Sequence, residues 1–217
     1  MKSCSVYRES ARETLDGRWN ETALMAVVIF VLMLLFNVAP SVIVTVIEAT
    51  SWGMTVDSIG LVITLLVVGP LEFAMYSTLL AMKRGTLEET PVSSMLKIFT
   101  GDWQRFVITM VLQTVIISIA SFFTLGILGI ILALAYGMTP FLLRDYPDLT
   151  PREALRMSRE MMRGYKWDLF LLELSFIGWI LVSILTLGIG LLWVMPYMNV
   201  AEAYFYDDLK EEVIVEE

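Results

Sequence analysis

Long apolar blocks alternate with short charged stretches along the whole chain. Six of these blocks approach about 20 residues, the length at which an α-helix crosses the hydrocarbon core of a bilayer. The pattern predicts an all-α fold, a polytopic membrane helical bundle of about six transmembrane helices, with residues 1–217 as a single integral membrane domain. The predicted spans are approximately 22–47, 59–82, 104–121, 125–143, 168–185 and 188–206.

The Lys and Arg residues fall only in the connections at one end of the predicted bundle. All 15 lie before the first span, around the connection between spans two and three, around the connection between spans four and five, or after span six. Because positively charged loops are retained in the cytoplasm, both termini are predicted to be cytoplasmic. The first outer loop carries only Glu48 and Asp57, and the turns at 121–125 and 185–188 are free of charge.

Three similar signals precede the first, third and fifth spans. Each consists of an amphipathic helix, a glycine that ends it and a tryptophan. Glycine accepts the left-handed backbone common at helix ends, and an indole suits the headgroup level because it is apolar with one polar N–H. The predicted interfacial anchors are therefore Trp19, Trp103 and Trp167, and the helix-ending glycines are Gly17, Gly101 and Gly164.

A proline recurs in the second helix of each predicted hairpin, at Pro70, Pro140 and Pro196. Proline lacks an N–H, so we expect helices two, four and six to be kinked or locally unwound. Together these signals predict three repeat units of interfacial helix plus transmembrane hairpin, at approximately 5–84, 90–145 and 150–209. A solvated acidic tail is expected at 207–217.

Helix starts can also be predicted. Thr90-Pro91 and Thr150-Pro151 each supply an N-cap followed by proline at the first helical position, and Glu153 completes a capping box with Thr150.

Polar residues inside the predicted spans form a first candidate site. A charge at the centre of a membrane helix costs about 2.5 to 3.5 kcal/mol, so such residues suggest a function. The candidate intramembrane polar site comprises Glu72, Glu173, Glu202 and Arg144. The alternative is that Arg144 and Glu202 extend to the interface, leaving Glu72 and Glu173 simply buried. The amides Asn37, Gln113 and Asn199 are predicted to form hydrogen bonds between helices.

A basic helix at 151–163 forms a second candidate site. Its arginines recur at spacings of four, three and four residues, which places them on one face. We expect the helix to lie flat on the inner leaflet, where each guanidinium contributes about 1 kcal/mol of attraction to anionic headgroups. The arginine pattern is compatible with simple anchoring at the membrane surface and with specific binding of a lipid or a partner protein. The candidate anionic-lipid or partner face comprises Arg152, Arg156, Arg159, Arg163 and Lys166.

Composition limits the available chemistry. There is no His and only one Cys, Cys4, so a Ser-His-Asp or Cys-His arrangement and an ordinary zinc site cannot be built. We therefore predict no enzyme activity, no catalytic residue, no metal and no cofactor. The expected partners are membrane lipids or another membrane protein, with no nucleic acid.

The second half of the chain is similar to a known family. The resemblance is carried by Ser158–Trp167, Leu174–Trp179 and Leu185–Tyr197. These segments resemble bacterial membrane proteins known as domain of unknown function 975, closely over Pro140–Leu209 and more weakly in the first half. The resemblance implies a six-span protein of the bacterial inner (cytoplasmic) membrane and no particular reaction.

Two functional hypotheses follow. The first is a non-enzymatic protein that binds or organises lipid or a partner protein at the cytoplasmic face. The second is a small transporter or channel-like subunit that uses Glu72 and Glu173 near proline-broken helices. A polar cavity around Glu72 would favour the second hypothesis, and a fully packed bundle would disfavour it.

Overall fold

The computed structural model describes residues 2–40, 60, 62–101 and 103–216, and all regular secondary structure in these ranges is helical. Glu48 and Asp57, predicted for the first outer loop, lie outside the described residues. The α-helices are α1 (Cys4–Leu15), α2 (Trp19–Met33), α3 (Gly69–Lys83), α4 (Pro91–Leu96), α5 (Trp103–Phe123), α6 (Ile127–Tyr136), α7 (Thr139–Asp145), α8 (Pro151–Met161), α9 (Lys166–Leu174), α10 (Ile177–Leu185) and α11 (Leu191–Glu216). Wider π-helical turns occur at Leu34–Val38 and Thr64–Val68, and a 3-10 turn at Lys97–Thr100.

Several helical segments are long and apolar enough to cross a membrane. In the described part of the chain there are 5, namely Trp19–Val38, Thr64–Lys83, Trp103–Phe123, Ile127–Asp145 and Lys166–Leu185. The predicted helical membrane bundle is thus confirmed. The predicted sixth span lies within α11, whose first half is apolar and whose second half is charged.

Two of the three prolines coincide with the expected breaks. The π-helical turn Thr64–Val68 directly precedes Pro70, and Pro140 follows the interruption between α6 and α7. At Pro196 the expected local unwinding does not occur, because α11 continues through it. Pro196 is the sixth residue of α11 and removes one hydrogen bond from the helix, the one to the Leu192 carbonyl.

Local signals at helix ends gave mixed outcomes. The capping box is confirmed, since the Thr150 hydroxyl accepts from the Glu153 N–H and the Glu153 carboxylate accepts from the Thr150 N–H at 2.9 Å. Gly17 and Gly164 adopt φ of 73° and 95°, as expected for left-handed helix ends. Gly101 does not, with φ −122°, because a 3-10 turn rather than an α-helix precedes it.

The buried core lies toward one end of the bundle, where α1 packs along α11. Tyr7 contacts Phe205 with ring centroids 5.8 Å apart, and the Thr14 and Tyr204 hydroxyls are 2.8 Å apart. Most exposed large apolar side chains instead fall within 30–38, 108–131 and 171–195. An apolar surface of this extent suits contact with lipid.

Ion pairs between charged residues join several helix ends beside this core. We call this end of the bundle the charged end. Arg84 after α3 pairs with Asp145 of α7 and with Asp207 of α11. Lys83 also reaches Asp207, at 2.5 Å, and Lys210 reaches Asp145, at 2.8 Å. These five residues are called the ionic clamp, and they connect the second helix of every hairpin.

The N-terminal segment reaches the same end. Lys2 Nζ lies 2.7 Å from Asp208, whose other oxygen accepts from the Tyr7 hydroxyl at 3.0 Å. Asp207 and Asp208 are therefore paired helical residues, which corrects the expectation that a solvated tail begins at 207. They pair because α1 and α3 bring cations alongside α11, an arrangement that a local charge pattern does not reveal.

Candidate functional site: an acidic cavity

A cavity of about 380 Å³ lies between the helices. Glu72 of α3, Glu173 of α9 and Glu202 of α11 all line it, so the first predicted repeat unit supplies one carboxylate and the third supplies two. The structure thus brings together three of the four residues of the candidate intramembrane polar site. The fourth, Arg144, is exposed and does not line the cavity.

Breaks in regular helix position two of the three carboxylates. Glu72 lies in the first turn of α3, two residues after Pro70, and a π-helical turn precedes that helix. Glu173 lies in the last turn of α9, where the chain turns at Ser175 before α10 begins. Pro140 and Gly137, at the break between α6 and α7, also line the cavity. Irregular backbone of this kind is tolerated at membrane depth where it is buried in protein or lines a cavity.

Aromatic rings form much of the remaining wall. Phe73, Tyr76, Tyr136 and Phe170 line the cavity, and Tyr76 packs edge-on against Phe141 with centroids 5.6 Å apart. Faces of such rings attract cations through their quadrupole. The wall therefore combines three carboxyl groups with aromatic side chains.

No counter-ion for the three carboxylates occurs among the described residues. Within the described residues, none of them makes a hydrogen bond or a salt bridge, and no Lys or Arg lines the cavity. Three negative charges in one largely apolar cavity would cost free energy unless protons or a bound cation neutralise them. The arrangement can therefore accept positive charge from outside the chain.

Gln113 adds an unpaired acceptor to the same wall. Its Oε1 atom is buried and has no hydrogen-bond partner within the described part of the chain, and Gln113 lines the cavity. We expected Gln113 to bond to a neighbouring helix. The same expectation is confirmed for Asn37, whose Oδ1 accepts from the Thr64 hydroxyl at 3.2 Å. It is not met by the Asn199 Nδ2 atom, which is buried without a hydrogen-bond partner among the described residues. The role of Gln113 was missed because an amide in a span gives no sequence signal that separates a cavity from a helix contact.

The second candidate face lies on α8. Three arginines of α8, Arg152, Arg156 and Arg159, are exposed, as is Arg163 in the turn that follows, and Lys166 is partly buried. The opposite side of α8 is in the core, where Ala154 is fully buried and the Ser158 hydroxyl donates to the Ala135 carbonyl at 2.9 Å. The helix therefore packs its apolar side on the bundle rather than into the leaflet, while the arginine face remains open.

The predicted tryptophan anchors occupy different environments. Trp167 is largely exposed and stacks on Phe170, whereas Trp19 packs edge-on against Tyr197. Trp103 donates its indole N–H to the Leu66 carbonyl at 2.9 Å. Leu66 lies four residues before Pro70, which has no N–H to donate to it.

The fold and site define a polytopic helical membrane protein with a partly open acidic cavity between its helices. Residues 93–213, more than half of the chain, match the family described as "Protein of unknown function (DUF975)", and the chain belongs to that family. The resemblance seen in the sequence is thereby confirmed. No curated protein and no solved structure matches the chain.

Proposed function

We propose that this protein is a small transporter or channel-like subunit that binds an organic cation in the acidic cavity. The observation that carries the proposal is the convergence of Glu72, Glu173 and Glu202 on one cavity without a counter-ion among the described residues. No catalytic step is part of the proposal.

The cavity suits an organic ammonium ion in size and chemistry. Its volume of about 380 Å³ lies in the range typical of small-molecule sites. Carboxylates compensate the positive charge, and the rings of Tyr76 and Phe73 supply cation–π surface. Glu72 and Glu173 also lie within segments long and apolar enough to span a membrane, which is where a transport pathway must run.

We further propose that the charged end faces the cytoplasm of a bacterial cell. The one-sided distribution of Lys and Arg supports this orientation. The pairing of Lys2 with Asp208 is consistent with termini that share one compartment.

The binding step can be tested with tetraethylammonium as the probe. Wild-type protein in nanodiscs is titrated with tetraethylammonium by calorimetry, alongside Glu72→Gln, Glu173→Gln and Glu202→Gln. Each substitution keeps the side-chain shape and removes one negative charge. We expect saturable binding to wild type and about a tenfold loss of affinity per variant, equivalent to about 1.4 kcal/mol.

Matched controls are Glu88→Gln and Glu160→Gln, which neutralise exposed acids away from the cavity. They should bind the probe like wild type. Equal affinity in all variants, with thermal unfolding unchanged, would reject the cavity as a cation site.

A second candidate function is recognition of anionic lipid by the arginine face of α8. The observation that favours it is the exposure of all four arginines, of which only Arg156 has an ion pair in the described residues, a loose 3.7 Å contact with Glu160. Open guanidinium groups attract phosphate oxygens, since their donors match that geometry.

Replacing Arg152, Arg156, Arg159 and Arg163 with Gln should reduce the phosphatidylglycerol that co-purifies, measured by native mass spectrometry. Lys97→Gln, which removes an exposed cation elsewhere, serves as the control. Unchanged phosphatidylglycerol in the fourfold variant would reject specific lipid recognition by this face.

A further inference from the structure

Among the described residues, acids face the cavity and no basic side chain does. The titratable residues that line it are Glu72 and Tyr76 of α3, Tyr136 of α6, Glu173 of α9 and Glu202 of α11. The lining parts of α5 and α7 carry no titratable side chain. Each of the three glutamates is partly accessible, so protons and small cations can reach its carboxyl group.

The cations at the end of α3 are already paired elsewhere. Lys83, the last residue of α3, lies 2.5 Å from Asp207. Arg84 pairs with both Asp145 and Asp207. The positive charge of the ionic clamp is thus committed to its own aspartates at the charged end. It does not compensate the glutamates of the cavity.

Ionising all three glutamates in the empty cavity would cost free energy. Much of the remaining wall is apolar and includes Ile130, Leu134, Leu169 and Phe170. Such a wall solvates charge poorly, and carboxylates that share one site repel each other. A proton on each carboxyl group removes both costs.

Protonated carboxyl groups also suit the neighbouring amide. A carboxylic acid has an O–H that donates a hydrogen bond, whereas a carboxylate only accepts. Gln113 Oε1, on the same wall, is a buried acceptor without a partner among the described residues. The protonated state of the glutamates therefore matches the polar groups around them.

A bound organic cation changes the charge balance. Its positive charge compensates one carboxylate, so one O–H bond breaks and the proton passes to water. The cavity is neutral in both states, with three carboxylic acids when it is empty, and with two acids, one carboxylate and the cation when it is occupied. Because all three glutamates face the same cavity, the proton can leave any of them.

We infer that protons and organic cations compete for the acidic cavity, so that each monovalent cation that binds displaces one proton from Glu72, Glu173 or Glu202. The inference rests on the proposed function and describes how the cation site is regulated. Acid weakens binding, and a rise in pH strengthens it. For one displaced proton, affinity falls about tenfold per pH unit as long as the empty cavity is protonated.

The composition makes this competition measurable near neutral pH. The chain contains no His, the side chain that ordinarily titrates there. Ordinary glutamates are ionised and ordinary tyrosines are protonated between about pH 6 and pH 7. Cys4 lies in α1, does not line the cavity, and can be removed as Cys4→Ser. Proton release on binding in this range therefore reports on the glutamates of the cavity.

Calorimetry in two buffers tests the inference. Tetraethylammonium is titrated into the Cys4→Ser protein in nanodiscs at pH 7, once in phosphate and once in HEPES, which are not cationic and differ in their enthalpy of protonation. We expect the two binding enthalpies to differ by an amount that corresponds to about one released proton per cation, and the affinity to fall about tenfold from pH 7 to pH 6. Glu160→Gln is the control and should behave identically, because Glu160 is exposed and does not line the cavity.

The outcomes separate this inference from the cation site itself. Saturable binding with equal enthalpies in the two buffers and equal affinity at the two pH values would overturn the inference and leave the cation site in place. Absence of saturable binding at both pH values would reject the cation site, and the inference with it.

Infrared spectroscopy tests the protonation of the empty cavity without a ligand. In maltoside detergent at pH 7, the carboxylic acid C=O band should be weaker in Glu72→Gln, Glu173→Gln and Glu202→Gln than in Glu160→Gln. Addition of tetraethylammonium should weaken the band in wild type. A band that the three cavity substitutions leave unchanged would show that these glutamates are ionised in the empty cavity, and would contradict the inference.

Discussion

Arg84 donates two hydrogen bonds to the Asp145 carboxylate, at 2.6 and 3.0 Å, and so joins the ends of the first two hairpins. The same guanidinium pairs with Asp207 of the third. Asp145 also accepts from the Tyr206 hydroxyl at 3.0 Å. The ionic clamp therefore holds together the three helices whose other residues supply Glu72, Glu202 and the cavity wall near Pro140.

Replacement of Arg84 should weaken this arrangement. Asp145 is only 7% exposed, so Arg84→Gln leaves a nearly buried carboxylate with fewer donors. We expect the free energy of unfolding in detergent to fall by about 2 kcal/mol.

The control is Lys97→Gln, because the Lys97–Glu89 pair is highly exposed and should contribute little. Equal stability of Arg84→Gln and Lys97→Gln would show that the clamp is not a structural element.

The clamp should also respond to acid through Asp207, which lies beyond the predicted sixth span. Burial opposes ionisation of this carboxyl, but hydrogen bonds from Arg84 and Lys83 outweigh it and hold its pKa below the ordinary 3.8. A lowered folded-state pKa adds stability above pH 3.8, and this stability is lost as pH falls through the folded value.

The measurement is the melting temperature of wild type and Asp207→Asn between pH 7 and pH 3. The difference between them should be constant at neutral pH and shrink below about pH 4. A difference that does not change with pH would contradict this account of Asp207.

The Trp103 indole should be coupled energetically to Pro70. Trp103→Phe removes the hydrogen bond to the Leu66 carbonyl and should cost about 1 kcal/mol. Pro70→Ala restores a backbone N–H four residues after Leu66, so Trp103→Phe should cost less in that background. A double-mutant cycle in detergent measures the coupling, and additive costs would show that the indole does not replace the missing donor.

The sequence predicted those features that depend on neighbouring residues. The capping box at Thr150 and the break before Pro140 each follow from a few adjacent positions. Glu72 and Glu173 could be identified because an acidic residue within an apolar segment is easily seen in the sequence. The distribution of Lys and Arg can also be read directly from the sequence, and it supports the proposed orientation.

Features that join distant parts of the chain were not predictable. Lys2 pairs with Asp208, and Trp103 with Leu66, across separations that hydrophobic periodicity does not encode. The expected solvated tail at 207 was wrong for this reason. Arg144 and Glu202 looked alike in the sequence, yet only Glu202 lines the cavity, because helix rotation within a bundle is set by packing.

Uptake of radiolabelled tetraethylammonium into proteoliposomes, driven by an inside-negative potential, measures whether the acidic cavity conducts a cation. We expect wild type and Glu160→Gln to accumulate the cation, whereas a Glu72→Gln, Glu173→Gln, Glu202→Gln triple variant of equal melting temperature should not. Accumulation by the triple variant at the wild-type rate would contradict a cation pathway through the acidic cavity.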